Sequence, residues 1–313
     1  MQEKLKLNDK DLEVLKFLFK YKMLKIIDAS LIYKTKKYYR LRINKLIDYG
    51  YVKRYKNYII LDTNGRNELG ILGTSYLKNI KNEPYMERLR NIASIATITI
   101  NSNIEFIPSW DIKDKNKYTE SSRKYIGSMI IEDNEYLVYY LTANKQHIFI
   151  KQLMFDINKA INNDNIIIFV DNYDCLCEKY SNLSFGKENI NIILNNNSSK
   201  ELIKSYEKID IHEILQRLYM QEVLISDWEI SDYMLIDNTY IVNMLFINTE
   251  KITRINWYYL ENINATRKIE IVTLKESEEK INELLNDKCT IKVLNKDLLG
   301  GLIGTERLEE SIM

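Results

Sequence analysis

The sequence predicts an α+β protein, with a helical N-terminal unit that ends in a β-hairpin and an α/β body behind it. Two patterns support this fold class. Apolar residues recur at helical spacing near the start of the chain, at Leu12, Leu15 and Leu18, and give way to β-rich runs at 51–55 and 58–61. After residue 104, segments with strand composition alternate with segments of helical period, an order typical of an α/β body.

Three helices are predicted before the hairpin. Asn8 is a suitable N-cap for the first helix, and Asp9 and Asp11 suit the positive end of its dipole. The second helix is predicted from about Leu24 to Ile32. The third covers the basic stretch that follows and ends near Gly50, which stands where a C-terminal cap is expected.

The hairpin consists of Tyr51 to Tyr55 and Tyr58 to Leu61, joined by Lys56-Asn57, so its tip is basic. Three short helices followed by a hairpin is the order of a winged helix-turn-helix, in which the hairpin is the wing. A further helix, from about Thr63 to Leu72, closes the unit. The first predicted domain therefore spans residues 1–75.

Positive charge is concentrated around the third helix and the hairpin. Nine basic residues and a single acidic one, Asp48, lie between positions 34 and 56, so this basic window has a net charge of 9 − 1 = +8. The whole chain carries +1, and the remaining residues therefore sum to −7. Such a concentration predicts a surface for the phosphate backbone of nucleic acid. A solvated helix face is the alternative, although such a face normally mixes both signs.

The positions of these side chains around the third helix predict their roles. Arg and Asn form paired hydrogen bonds with guanine and adenine edges, whereas Lys mainly contacts phosphate. On the face opposite the apolar one, the predicted base contacts are Lys37, Arg40 and Asn44. The predicted contacts to the DNA backbone are Lys34, Lys36, Arg42, Lys45, Lys53, Arg54 and Lys56.

The body is predicted to contain two similar segments. At a constant offset of 104 residues, Asp133 corresponds to Asp237 and Tyr136 to Tyr240, and the order hairpin, helix, strand is kept. The predicted domains are therefore 1–75, 85–210 and 211–313. A single larger α/β domain with accidental similarity is the alternative.

Composition predicts a cytoplasmic protein without a membrane span. No apolar run approaches the roughly 18–20 residues of a membrane helix, and the N-terminus lacks the apolar segment of a signal peptide. Cys175, Cys177 and Cys289 are an odd and sparse set, which indicates a reducing compartment, and they lack zinc-site spacing. Because no glycine-rich phosphate loop occurs either, we expect neither a metal nor another cofactor.

The stretch LNDKDLEVLKFLFKYKMLKIIDASLIY, followed by YYRLRINKLIDYGYVKRYKNYIILDTNGRNEL, resembles the winged-helix part of the replication-relaxation family. The shared features are a Leu-x-x-x-Asp start, the turn from Leu46 to Gly50, and a wing that leads into the turn from Thr63 to Arg66. The resemblance covers about the first 75 residues. It implies DNA binding by a protein of a bacterial plasmid, conjugative element or phage.

In that family the second domain often resembles a restriction-endonuclease-like fold. Such a nuclease needs an Asp that opens one strand and a Glu-x-Lys on the next, which together hold a divalent metal and activate water. Here Ser128 stands at the Asp position of the first segment and Asp232 at that of the second, and neither following strand supplies an acid. We therefore expect a nuclease-like fold without nuclease chemistry. An enzyme that takes its acids from Asp111, Asp133 and Asp237 is the alternative.

The predicted function is sequence-specific binding of double-stranded DNA, in plasmid or phage replication, maintenance or transcriptional control. A single wing reads few base pairs, so the body is expected to provide homodimerisation or contacts with other replication or partition proteins. Two alternatives remain at this point. One is a metal-dependent nuclease or relaxase, and the other is an adaptor whose winged helix binds a protein.

Overall fold

The computed structural model describes residues 5–71, 82–112, 124–142, 147–159, 165–176, 189–206, 209–262, 265–285 and 288–294. Over these residues the chain is a mixed α/β protein, as predicted. The helices are α1 (Asp9–Tyr21), α2 (Ala29–Tyr33), α3 (Tyr38–Asp48), α4 (Thr63–Glu68), α5 (Glu83–Ala96), α6 (His147–Asn158), α7 (Asn197–Ser205), α8 (Ile211–Tyr219), α9 (Thr249–Glu261) and α10 (Lys275–Leu284). Short 3₁₀ turns occupy Ile26–Asp28, Thr97–Thr99 and Tyr173–Leu176.

The strands are β1 (Met23–Lys25), β2 (Val52–Tyr55), β3 (Tyr58–Leu61), β4 (Glu105–Pro108), β5 (Gly127–Ile131), β6 (Asn134–Leu141), β7 (Asn165–Val170), β8 (Asn189–Leu194), β9 (Val223–Ile225), β10 (Tyr233–Leu235), β11 (Thr239–Met244), β12 (Lys268–Leu274) and β13 (Thr290–Leu294). No helix among the described residues is both long and apolar enough to cross a bilayer. The chain divides into two compact units, residues 1–114 with 125–131, and residues 115–124 with 132–313.

In the first unit, β1, β3 and β2 form an antiparallel sheet in that order. Strands β2 and β3 are the predicted hairpin, with Tyr55 opposite Tyr58. Lys56 takes the left-handed φ of +53° that two-residue hairpin turns favour. Gly50, which follows α3, has a φ of +68°, a conformation in which glycine is strain-free and in which a helix commonly ends.

Strand β1 replaces the first part of the helix that the sequence predicts from about Leu24 to Ile32. Lys22 has a left-handed φ of +73° and ends α1. Met23 and Leu24 then pair with Ile60 and Ile59 of the hairpin and are fully buried. The helical spacing of apolar residues was misleading here, because the hairpin edge that this segment joins lies more than 30 residues further along the chain.

Helix α5 belongs to the same unit because it packs against this sheet. Met86, Leu89 and Ala93 form a buried cluster with Met23 and Ile60. The first compact unit therefore extends beyond the predicted 1–75 boundary. A compact unit is not necessarily a domain that folds independently. The division into domains 1–75, 85–210 and 211–313 therefore stays a prediction. Residues 76–81, which link the first two predicted domains, lie outside the described residues.

The remaining strands of the first unit are β4 and β5, which pair antiparallel with Phe106 opposite Met129. The Tyr21 hydroxyl donates to the Phe106 carbonyl over 3.1 Å and ties β4 to α1. Glu132 and Asp133, with left-handed φ values of +48° and +63°, form the turn that follows β5.

In the second unit, β6, β7 and β8 run parallel to one another, with α6 between β6 and β7 in the chain. Strands β9 to β13 form a sheet in the order β13-β12-β11-β10-β9, antiparallel from β9 to β11 and parallel from β11 to β13. Ile192 of β8 and Ile247 exchange backbone hydrogen bonds of 2.8 and 3.2 Å. This bridge connects β8 to the segment after β11.

Candidate nucleic-acid interface

Helix α3 has one buried and one exposed face. Tyr39 and Ile43 are each 1% exposed, because residues three and four apart share one side of a helix. The predicted base-contact residues Lys37, Arg40 and Asn44 are all exposed. The Nε of Arg40 donates to the Tyr39 hydroxyl over 3.0 Å, so the buried ring anchors an exposed guanidinium.

A buried ion pair lies on the other side of α3. Asp11 is fully buried and Arg42 is 9% exposed. Arg42 donates to both carboxylate oxygens of Asp11, from Nε over 3.1 Å and from a terminal nitrogen, which also donates to the Lys6 carbonyl. The Tyr33 hydroxyl and the Asn8 backbone N–H donate to the same carboxylate over 2.6 and 2.9 Å. One carboxylate therefore connects α1, α2 and α3.

Arg42 therefore does not lie on the exposed basic surface where the sequence analysis placed it. The hydrogen bond to Asp11 raises the pKa of Arg42, and burial together with the same carboxylate raises the pKa of Tyr33. The burial of Arg42 could have been predicted from the sequence, because Arg42 is three residues after Tyr39 and four before Leu46, on the buried side of the helix. A buried cation needs a partner, and Asp11 is an acid within the apolar stripe of α1.

The other predicted backbone contacts are all exposed, and they come from three places. One is the turn between α2 and α3, the second is the outer face of α3, and the third is the hairpin. At the hairpin tip, the Nε of Arg54 donates to the Lys56 carbonyl over 3.1 Å, and the Lys56 ammonium lies 5.8 Å from the centre of the Tyr55 ring. These exposed residues are Lys34, Lys36, Lys45, Lys53, Arg54 and Lys56.

A groove of about 400 Å³ lies between α3 and the hairpin. Arg40 and Asn44 line it from α3, Arg54 from β2 and Asn57 from the turn of the hairpin. Lys25 of β1 lines it as well, and no acidic side chain is among the described residues that line it. The structure thus brings two predicted base-contact residues and one predicted phosphate contact to a common concave surface.

Two exposed residues of this region, Lys25 and Leu41, were assigned no DNA contact from the sequence. Lys25 lies outside the basic window, and it joins the groove because β1 pairs beside the hairpin. Leu41 is 63% exposed on α3, on the side away from the buried pair. An exposed leucine next to Arg40 was a usable signal, since an apolar side chain can contact the methyl group of thymine in the major groove.

The positions considered for nuclease chemistry lie apart from the groove residues in sequence and are engaged in other ways. Ser128 is fully buried in β5. The Asp232 carboxylate accepts hydrogen bonds of 2.6 and 2.7 Å from the Lys251 ammonium and one of 2.8 Å from the Asn243 backbone N–H. Within the described ranges, no group of three or more His, Cys, Asp and Glu side chains is arranged to hold a metal ion.

Among the described residues, Cys289 is a free cysteine. Cys177 lies outside the described residues. Burial raises the pKa of the Cys289 thiol from an ordinary 9.0 to about 11. Only the thiolate is alkylated, so a raised pKa slows the reaction at every pH below 9. With Cys175 and Cys177 changed to Ser, we expect iodoacetamide at about pH 8 to label the native chain at least about 10-fold more slowly than the urea-unfolded chain, because the higher nucleophilicity of a less acidic thiol offsets part of the loss of thiolate. Equal rates would show that the thiol is not shielded by the fold.

The first compact unit contains the exposed cations, the groove and the buried Asp11–Arg42 ion pair. The resemblance to the replication-relaxation family remains a prediction from the motifs quoted above. The chain was compared with protein-family models, with curated proteins and with solved structures, and none of them matches it.

Proposed function

We propose that residues 1–75 form a winged helix-turn-helix that binds double-stranded DNA. Helix α3 would enter the major groove, and the β2–β3 hairpin would be the wing. The proposal rests on one observation: in the basic window the buried cation has an acidic partner, whereas the exposed cations far outnumber the acids. The buried cation, Arg42, has a buried partner in Asp11, whereas the eight exposed cations face solvent with Asp48 as the one acid of the window. That excess favours an anionic partner such as the phosphate backbone of DNA.

The charge order along α3 supports a role in binding over a role in helix stability. A helix dipole favours acids in the first turn and cations in the last, by about 0.3–1 kcal/mol each. Helix α3 departs from this order at its start, where Lys37 and Arg40 stand without an acid, whereas its last turn carries the favourable Lys45 as well as Asp48. Charges that oppose the dipole are explained if they serve a ligand.

The proposed roles follow from exposure and side-chain chemistry. Arg40 and Asn44 would read base edges, because arginine can donate two hydrogen bonds to guanine and asparagine can donate one to adenine and accept one from it, and Lys37 would assist them. Lys53, Arg54 and Lys56 of the wing would contact phosphates, as would Lys34 and Lys36 before α3 and Lys45 on it. Arg42 is left out because its guanidinium is committed to Asp11.

We propose that the body contains two related α/β segments. In support, α6 separates β6 from a parallel partner, β7, as α9 separates β11 from β12. Further parallel strands, β8 and β13, then follow in both segments. The antiparallel pair β4–β5 likewise corresponds to β9–β10.

A side-chain contact agrees with the same correspondence. The hydroxyl oxygens of Tyr173 and Ser277 lie 3.0 Å apart, and these residues are separated by 104 positions, the offset at which the two segments align. Equivalent residues contact each other where two copies of a structure meet on a two-fold axis. The pair therefore supports two segments that face each other as the subunits of a dimer do.

In this account the protein acts for a plasmid or phage in replication, maintenance or transcriptional control, as its resemblance to the replication-relaxation family implies. The body would supply homodimerisation or contacts with other replication or partition proteins, because a single winged helix covers few base pairs. No catalytic step is assigned to it.

The proposal is tested by selecting DNA fragments of the genetic element that the purified full-length chain retains, followed by measurement of affinity against salt. We expect binding to weaken steeply as salt rises, because each phosphate contact releases counterions. Repeated bound sites would indicate an origin, and a site beside a promoter would indicate a regulator. Absence of any salt-sensitive binding at low ionic strength would contradict the proposal and favour a winged helix that binds protein.

Replacement of Arg40 with Ala is expected to relax sequence preference at one base position of the selected site. The expected cost is about 1–3 kcal/mol on that site, because one bidentate contact is lost, and much less on a site altered at that position. Competition binding with a set of single-base variants measures this directly. An unchanged preference profile would remove Arg40 from the base-reading residues.

A further inference from the structure

The groove between α3 and the hairpin combines charge from three elements. Lys25 comes from β1, Arg40 from α3 and Arg54 from β2, so both walls of the groove carry cations. Its described lining carries no acid that would neutralise them. Ile27, which is 47% exposed, adds an apolar surface at the same place.

The position of Lys25 is fixed relative to the wing. Its residue pairs with Tyr58 in the antiparallel sheet, and the backbone N–H of Ile26 donates to the Asn57 carbonyl over 2.8 Å. The strand and the hairpin turn therefore form one rigid side of the groove, opposite the wall that Arg40 and Asn44 provide. A change in the wing would carry Lys25 with it.

The geometry of a duplex determines what such a groove would meet. In the proposed function, which this inference presupposes, α3 occupies the major groove and the wing lies against the adjacent minor groove. One sugar–phosphate strand separates those two grooves of the DNA. That strand must therefore pass between the helix and the wing, through the concave surface that Lys25 lines.

We propose that this groove holds the phosphodiester strand that separates the major groove from the minor groove, and that Lys25 is a phosphate contact there. Lys25 and Arg54 match the negative charge of the phosphates, while Arg40 on the opposite wall reaches the base edges, and the side chain of Ile27 matches the apolar face of a deoxyribose. Neither match depends on base identity, so Lys25 contributes to affinity for every sequence. This assignment adds to the interface a residue that lies nine positions before the basic window begins.

The test compares Lys25→Ala with Lys16→Ala in the full-length chain. Lys16 is an exposed lysine of α1 that does not line the groove, and both changes remove one positive charge. The probe is a mixed-sequence DNA duplex of about 30 base pairs, with affinity measured between about 0.05 and 0.2 M salt. We expect Lys25→Ala to lower the slope of log affinity against log salt by about 0.9, and affinity at 0.1 M about 8-fold, whereas Lys16→Ala changes neither.

The outcomes separate this inference from the proposed function. If the unsubstituted chain shows no salt-sensitive binding, the proposed function itself fails. If that chain binds and Lys25→Ala behaves like Lys16→Ala, the groove assignment is overturned and the winged-helix proposal stands. A loss confined to one sequence would also overturn it, because phosphate contacts act on all sequences. Should Lys25→Ala lower the melting temperature, Lys25→Gln, which keeps the aliphatic stem, replaces it with the same expectation.

Discussion

Reversing the charges of Lys53 and Arg54 to Glu is expected to weaken DNA binding by at least about 60-fold at about 0.1 M salt. Each phosphate contact contributes about 0.9 to the salt slope, and the counterion term vanishes near 1 M, so two lost contacts remove about 1.8 decades at 0.1 M. The slope itself should fall by about 1.8 on every duplex. Titration of a labelled duplex at several salt concentrations measures both quantities.

The matched control is Lys16→Glu with Lys151→Glu. These lysines are exposed on α1 and α6 and lie outside the basic window, so the control changes the net charge by the same amount. We expect the control to retain nearly all of its affinity at salt concentrations where the Debye length is about 10 Å or less. If both double variants lost the same affinity, the chain would be binding DNA through its overall charge, and the hairpin would not be a wing.

Replacing Arg42 with Met is expected to destabilise the first unit by about 3–5 kcal/mol. Removal of the guanidinium leaves the Asp11 carboxylate fully buried without its cation, and such a loss is much more costly than loss of a surface ion pair. The salt slope for DNA of the folded variant should stay unchanged, because Arg42 is not an exposed cation. Urea unfolding followed by circular dichroism gives the free energy of unfolding, and DNA titration gives the slope.

Arg40→Met is the natural control, because it makes the same substitution two residues earlier on the same helix. Arg40 is exposed and its replacement removes one hydrogen bond to Tyr39, so it should lower the free energy of unfolding by about 1 kcal/mol, well below the effect at Arg42, and yet impair binding. The two variants are thus expected to have opposite phenotypes: Arg42→Met mainly loses stability, and Arg40→Met mainly loses DNA affinity. A similar free energy of unfolding for both would mean that the Asp11–Arg42 pair contributes little to the fold.

The local features of the first unit were accessible from the sequence. The N-cap Asn8, the glycine after α3 and the two-residue turn at Lys56-Asn57 each depend on a few neighbouring residues, and the structure places all three as predicted. The exposure of Arg40 and Asn44 followed from helical spacing in the same way. Such features are set by contacts close in the chain, which a single sequence displays.

The features that the sequence did not predict depend on contacts between residues far apart in the chain. Leu24 lies in a strand because Ile59 is there to pair with it, and Arg42 is buried because Asp11 is there to neutralise it. Lys25 reaches the groove for the same reason as Leu24. Periodicity and charge counts treat each segment by itself. They therefore predict that a charged residue such as Arg42 is exposed, because its buried partner lies in another segment.

The carboxylate that joins the first three helices also separates the residues of α3 that can be exchanged from those that cannot. Positions 37, 40, 41 and 44 are exposed, so, under the proposed function, other side chains placed there should change the DNA sequence that is preferred and leave the scaffold unchanged. Position 42 is best kept as arginine, because its guanidinium neutralises the buried Asp11 carboxylate, which also accepts hydrogen bonds from the backbone at the start of α1 and from the Tyr33 hydroxyl.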